Sequence, residues 1–202
     1  MVMQELYFVR HGQTLFNVQD KVQGWCDSPL TDEGVEVAKR LGEALKDVHF
    51  DALYSSISER AYDTACYIAK DEAYRIQVDK RLKEFNFGIL EGDLHESRVL
   101  LENRPKDRIA LLEEGWCDVG GENLAMVKER AASFMKDIEN IDGKILIVSH
   151  GLFIAAILYY LDPSCLKAVA KGIKNCSVSK VVKAQDGYHC VSINDTSLFG
   201  KG

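Results

Sequence analysis

Apolar runs and amphipathic stretches alternate along the chain. Leu6-Tyr7-Phe8-Val9, the segment around Leu53 and Lys144-Ile145-Leu146-Ile147-Val148 read as strands, and Ile76-Gln77-Val78 as a short extended stretch leading towards Glu84. Helical spacings lie between them. Thr31 can cap a helix in which Val35, Ala38, Leu41 and Leu45 recur on one face, and Ala61, Ala65, Ile68 and Ala69 mark a second helix. Leu124, Val127, Ala131 and Phe134 mark a long one over about residues 122–139, and the apolar stretch 152–161 reads as a buried helix. Residues 176–184 and 188–193, separated by Gln185-Asp186-Gly187, predict a hairpin with an Asp-Gly turn. Residues 86–119 lack a strong period and read as an insertion with one or two short helices over a pocket, a lid and specificity element. The order predicts a single domain over residues 1–202, a three-layer α/β/α sandwich with a mostly parallel central sheet.

The ends of these strands carry the chemistry. An open α/β sheet places its ligand crevice beyond the carboxyl ends of its strands. Arg10-His11-Gly12 follows the first strand and sets a guanidinium and an imidazole at its mouth. Arg forks onto phosphate oxygens, and neutral His can attack phosphorus. A lone His in such a place is more often structural, and three further segments shift that balance. Ser149-His150-Gly151 repeats the layout, with the His150 ring and the Gly151 amide at a helix N-terminus suited to an oxyanion or phosphate. After the strand near Leu53, Ser58 can cap a helix with its side chain, and Arg60 falls in the first turn near the same sheet edge as His11. A cation there opposes the helix macrodipole, so Arg60 either meets an anionic partner or points into solvent. Glu84, followed by Phe85-Asn86-Phe87, is a carboxyl under opposing influences: burial favours its neutral form, and Arg10 and Arg60 favour its ion. In the neutral form it can give a proton to a leaving alkoxide.

Taken in order, these residues resemble the histidine phosphatase superfamily, also called phosphoglycerate mutase-like. Val9-Arg10-His11-Gly12-Gln13-Thr14 matches the family's R-H-G-E/Q-T signature, and Asn17 falls at its phosphate-contacting Asn. Gln23-Gly24-Trp25-Cys26-Asp27-Ser28-Pro29-Leu30-Thr31 matches its G-W-x-D-x-P-L-T segment, and Arg60, Glu84 and His150 take the remaining pocket positions. The match runs from Leu6 to about Leu161. The resemblance implies the same sandwich and a mechanism in which His11 attacks phosphorus in line while Arg10, Arg60 and His150 hold the oxygens. Asn17 and the Gly151 amide add hydrogen bonds, and Gln13, Thr14, Gln23 and Gly24 complete the phosphate pocket. Glu84 then protonates the leaving oxygen and, as a carboxylate, activates water against the phosphohistidine. No metal and no cofactor are implied, because side chains supply the cations.

Departures from the family pattern bear on the reaction. The mutase branch usually reads E-x-x-Y-G-x-L-x-G-x-x-K around the acid; here Phe87 replaces the Tyr, and Glu91 and Asp93 would repel the second acidic group of a bisphosphate if they face the pocket. Arg98, Arg104, Lys106 and Arg108 could supply the basic contacts that a mutase needs. Gly120-Gly121-Glu122-Asn123 resembles the family's G-G-E-S turn. The balance favours a phosphatase acting on a small phosphomonoester, such as a sugar phosphate, a phosphoglycerate or a nucleoside-type phosphate. A phosphoglycerate mutase is the alternative. A non-catalytic phospho-ligand binding domain is disfavoured because nucleophile, acid and both Arg are present.

Composition narrows the partners. The 202 residues are 47% hydrophobic, enough to fill one core, and carry a net charge of −6. No basic tract is available to neutralise a nucleic-acid backbone, so the positive charge must be local to the pocket and the expected partner is a small phosphorylated metabolite. No secretory signal is visible, and residues 152–161 are too short to span a bilayer, so no membrane association is expected. Cys26, Cys66, Cys117, Cys165, Cys176 and Cys190 show neither a C-x-x-C pair nor zinc-site spacing and read as cytosolic thiols, mostly buried, in a cytoplasmic protein. The resemblance leaves room for a homodimer.

Overall fold

The computed structural model describes residues 4–94, 105 and 108–199. In chain order its elements are β1 (Glu5–Arg10), α1 (Leu15–Val18), α2 (Asp32–Ala44), β2 (Ala52–Ser56), α3 (Glu59–Ala69), β3 (Ile76–Asp79), α4 (Arg108–Glu114), α5 (Leu124–Ile138), β4 (Lys144–Ser149), α6 (Gly151–Leu161), α7 (Leu166–Val169), β5 (Val178–Ala184) and β6 (Gly187–Asp195). The described strands form one six-stranded sheet in the order β3-β2-β4-β1-β5-β6. The first four in that order are parallel, and the β5–β6 hairpin completes one edge antiparallel. This is the three-layer, mostly parallel sandwich that the sequence pattern predicts.

Alternation within the apolar strands divides the core between two layers. Leu6, Phe8, Ile145 and Ile147 pack with the α5 and α6 residues Phe134 and Phe153. Val9, Leu53, Leu146 and Val148 pack with the α2 and α3 residues Leu41 and Ile68. Strands covered on both faces need apolar side chains on both, which is why β1 and β4 read as continuous apolar runs. Phe8, Phe134 and Phe153 are fully buried, and truncation of any one to Ala would cost about 3–5 kcal/mol.

Several boundaries differ from expectation for local reasons. Thr31 caps α2 as predicted, its Oγ1 accepting the Gly34 N–H at 3.0 Å. Ser58 sits at the α3 N-cap, but its hydroxyl makes no capping bond. Asp27 caps α3 instead, with Oδ2 accepting the Glu59 N–H at 2.6 Å, while Ser58 turns to Ser56. A carboxylate is the stronger acceptor at a helix N-terminus. Helix α5 begins at Leu124 because Asn123 caps it through the Met126 N–H at 3.1 Å, which leaves Glu122 outside the helix. Strand β5 begins at Val178 because Cys176 has a φ of 55° and donates its N–H to Arg10 O at 2.9 Å. The expectation of mostly buried thiols is corrected: all six are free, but only Cys165 and Cys176 are buried and Cys117 is exposed. Cys26 lies in a loop and Cys117 in a 3-10 turn, outside the faces that pack on the sheet.

Within 86–119 the described residues form single 3-10 turns at Gly88–Leu90 and Cys117–Val119 together with the short helix α4. Arg98, Arg104 and Lys106 lie outside the described residues, and Arg108 opens α4. Among the described residues no helix is long and apolar enough to cross a membrane. For function the decisive feature is strand adjacency. Arg10 pairs with Ser149 across β1 and β4, and β4 also adjoins β2, so the residues that follow all three strands meet at one edge.

Candidate active site

His11 follows β1 and His150 follows β4, and the adjacency of those strands sets the two ring centroids 5.2 Å apart. Both rings are buried, at 3% and 0% exposure. His11 Nδ1 lies 2.7 Å from Gly12 O, and Arg60 Nε donates to His11 Nε2 at 3.3 Å. A carbonyl only accepts and a guanidinium only donates, so these two bonds assign the neutral ring with its proton on Nδ1 and its lone pair on Nε2. Burial, and then the Arg60 and Arg10 charges, hold His11 well below the ordinary imidazole range. The ring is therefore uncharged at pH 7. Burial and then Arg60 lower His150 in the same way. Its Nε2 lies 2.9 Å from Ser56 Oγ, while its buried Nδ1 has no hydrogen-bond partner among the described residues. An unmet buried polar atom costs about 1–3 kcal/mol, a cost that a ligand atom on that nitrogen would remove.

Arg60, in the first turn of α3, is also fully buried. Its Nη1 donates to Cys26 O at 2.9 Å and to Asp27 Oδ1 at 2.8 Å, and its Nη2 donates to Gly24 O at 2.9 Å. Asp27 is thus the anionic partner that the position of Arg60 demanded, and it serves the guanidinium and the α3 N-terminus together. The loop carrying these acceptors is held by Glu91, whose carboxylate accepts the N–H groups of Gly24, Trp25, Cys26 and Phe87 at 2.8–3.0 Å. This corrects the idea that Glu91 and Asp93 guard the pocket against a second acidic group. Glu91 is spent on four backbone donors, and Asp93 is exposed. Gly24 is demanded by the packing: a Cβ there would stand 2.1 Å from Phe85 O and 2.5 Å from Glu91 Oε1.

Glu84 is 6% exposed and reaches the N-terminus of α6. Its Oε2 accepts the Leu152 N–H at 2.9 Å, and its Oε1 accepts those of Phe153 at 2.8 Å and Phe85 at 2.9 Å. A carboxyl group suits the orphan donors and the positive end of that helix. Gly151, the first residue of α6, packs on Arg10: a Cβ would lie 3.4 Å from Arg10 Nε. Arg10 also donates from Nη1 to Ile173 O at 2.7 Å. Arg10, Asn17, Gln23, Glu84 and Gly151 open onto a cavity of about 540 Å³. His11, Arg60 and His150 are buried and do not line it, and the His11 lone pair is engaged by Arg60.

Three further predicted residues, Gln13, Thr14 and Gly24, are not part of that wall. Gln13 Oε1 accepts the Thr31 hydroxyl at 2.9 Å, which ties the His11 loop to the start of α2. Thr14 caps α1 and donates to Gln23 Oε1 at 2.8 Å, and Gln23 in turn donates to Ser28 Oγ at 2.9 Å. Asn17 Oδ1 completes the capping box by accepting the Thr14 N–H at 3.2 Å. Gly24 serves through its carbonyl on Arg60. Sequence reasoning did not assign Asp27, Glu91, Asn175 or Arg130. Asn175 Nδ2 reaches His11 O at 2.9 Å, Gly12 O at 3.1 Å and Asn17 Oδ1 at 3.2 Å, so it fixes the loop on which the nucleophile candidate stands. Arg130 Nη1 donates to Arg81 O and Lys83 O, both at 2.6 Å, and its Nη2 donates to Glu84 O at 3.0 Å. Glu122 holds that guanidinium at 3.0 and 3.1 Å. Only Asp27 carried a signal, as the acidic position of the G-W-x-D segment.

Two neutral buried imidazoles, a buried guanidinium and a carboxyl thus gather at the carboxyl edge of a parallel sheet. Residues 6–196 match the histidine phosphatase superfamily (branch 1), and the chain belongs to that family. The Yersinia pestis (strain Pestoides F) protein named Probable phosphoglycerate mutase GpmB is 30% identical over 182 residues, which span 89% of this chain and 85% of that protein. Phosphoglycerate mutase from Bacillus anthracis str. Sterne superposes with a TM-score of 0.80 at 33% identity, covering 98% of this chain and 95% of that one. The mycobacterial glucosyl-3-phosphoglycerate phosphatase solved with VO3 superposes with a TM-score of 0.81 at 26% identity, covering 95% and 99%. Both mutases and phosphatases thus stand among the proteins this chain is similar to.

Proposed function

We propose that the protein hydrolyses a small phosphomonoester through a phosphohistidine on His11. The observation that carries this reading is the buried, uncharged His11 ring, with its proton held by Gly12 O and its Nε2 lone pair facing Arg60. In the first step that lone pair forms the N–P bond as the ester P–O bond breaks, and the leaving oxygen takes a proton from Glu84. In the second, water attacks phosphorus, the Glu84 carboxylate takes the water proton, and the N–P electron pair returns to His11. Charge on the transferring oxygens is met by Arg10, Arg60 and the unpartnered Nδ1 of His150, with Asn17 and the Gly151 amide adding hydrogen bonds. The bond from Arg60 to His11 gives way to a bond from Arg60 to phosphate. Segment 86–119 acts as the specificity element, since Phe87, Leu90, Leu112 and Trp116 line the cavity.

One observation supports a mutase as the second reading: Glu91 is committed to backbone donors and sets no charge against an acidic substrate end. The phosphohistidine would then pass its group to a second hydroxyl instead of water. Product identity separates the two. Phosphate release is measured across small phosphomonoesters including 3-phosphoglycerate, with His11→Ala as control and 2-phosphoglycerate followed in parallel. Release that vanishes in His11→Ala upholds the phosphatase. Formation of 2-phosphoglycerate with little free phosphate makes the protein a mutase, and silence in both assays moves the phospho-ligand binding reading to the front.

A further inference from the structure

Much of the wall of the cavity is apolar. Val22, Phe87, Leu90, Leu112, Trp116 and Leu152 line it, and the first five are buried side chains of the core rather than surface groups. Phe87 and Trp116 are locked edge to face, with centroids 4.6 Å apart and planes at 82°, and Phe85 backs the same indole at 5.9 Å. This face is therefore rigid and preformed. Beyond Arg10, the cation among the described lining residues is Lys21, whose ammonium stands over the Phe16 ring at 5.0 Å. A cavity of about 540 Å³ exceeds what a phosphoryl group fills, so the leaving group occupies the apolar part.

We infer that the substrate is a phosphomonoester whose alcohol portion is an apolar aliphatic or aromatic group without a second anionic charge. The inference rests on the phosphoryl-transfer reading of the same site and adds the chemistry of its other end. A carboxylate or second phosphate set against Val22, Phe87, Leu90, Leu112 and Leu152 would lose hydration without gaining donors from those side chains. An alkyl or aryl group there is removed from water. The Tyr-to-Phe departure at position 87 points the same way, because it takes a hydroxyl out of that wall.

The test uses n-alkyl monophosphates from ethyl to hexyl, which share nearly the same leaving-group basicity, so that chain length reports burial and not chemistry. In the wild-type protein kcat/KM should climb about fourfold per methylene, the equivalent of ~0.8 kcal/mol per buried CH₂, until the cavity is filled. 3-Phosphoglycerate should fall below butyl phosphate. Leu111→Gln, on the half-buried lining residue of α4, should flatten the climb. A flat series, or 3-phosphoglycerate as the preferred ester, overturns the inference while leaving hydrolysis standing. If no ester turns over, the hydrolase reading falls, and calorimetric titration with ethyl- to hexylphosphonate decides this one on its own. Affinity rising with chain length upholds it, and affinity independent of chain length overturns it.

Discussion

Arg130→Met tests whether the Glu84 segment is held by a single half-buried side chain. The guanidinium makes five hydrogen bonds, to the Arg81, Lys83 and Glu84 carbonyls and to both oxygens of Glu122. Glu122 is 7% exposed, and its other acceptor bond is to the Asn86 N–H at 3.0 Å. Met keeps most of the stem but removes the guanidinium that stands over the Phe153 ring at 4.9 Å and strands the carboxylate, and breaking a buried pair from one side costs about 3–5 kcal/mol. For a chain of this size that is a fall in Tm of roughly 6–20 °C. The double variant Glu122→Leu/Arg130→Met removes the stranded charge and should recover a large part of the loss, which a double-mutant cycle would read as coupling. Turnover gives the second readout. If Arg130 positions Glu84 as proton donor, Arg130→Met should depress hydrolysis of an alkyl phosphate by roughly ten- to a hundredfold, within the range of general-acid catalysis. p-Nitrophenyl phosphate, whose leaving group needs no proton, should lose much less. Equal losses on both esters would reduce Arg130 to a stability element, and a Tm within about 2 °C of wild type would refute the packing argument as well.

Two further outcomes follow from the buried network. His11 and His150 are both lowered well below the usual imidazole range, while the unfolded chain titrates near about 6.5. Their contribution to stability is present above that value and is lost as pH falls through it towards the folded-state values, with a slope of up to roughly 2.7 kcal/mol per pH unit for the two groups together. Urea unfolding between pH 7 and pH 5 measures this, and a flat profile would count against buried neutral rings. The exposed His189, raised by Asp186 beside it, acts in the opposite sense but is screened by solvent. Gly24→Ala must push Phe85 O and the Glu91 carboxylate away from a new Cβ, which should cost at least about 1–3 kcal/mol, or roughly 2–12 °C in Tm. It should also raise KM, because the Gly24 carbonyl that steadies Arg60 moves with it.

What was legible in the sequence was whatever strand order alone decides. His11, Arg60 and His150 each lie just beyond the end of a parallel strand, so once the sheet is read, their convergence follows from β4 lying between β1 and β2. What escaped was decided by hydrogen bonds between distant segments. Glu91 read as a pocket-facing charge because nothing local reveals that four N–H groups, three of them more than sixty residues earlier, point at it. Ser58 read as the α3 cap because it is the local candidate, and Asp27 displaces it from 32 residues upstream of Glu59. Gln13 looked like a ligand residue through its place in the signature, yet its amide braces Thr31. Asn175 and Arg130 carry no motif, and only the closing of the chain brings them onto the His11 loop and the Glu84 strap.

The same division separates two sets of residues in the site. The residues that make the signature are consumed at the phosphate end: His11 by Gly12 and Arg60, Arg60 by Asp27 and Gly24, Glu84 by the start of α6. Each is buried and bonded on several sides, so substitution there breaks a network instead of adjusting a preference. Another part of the wall is built from Phe87, Leu90, Leu112 and Trp116, whose apolar side chains belong to the core and can be exchanged for others of similar volume at modest cost. A mutase and a phosphatase can therefore share the first set and differ in the second. On the proposed reading, the motif residues recognise the phosphoryl group and the apolar part of the wall selects the ester that carries it.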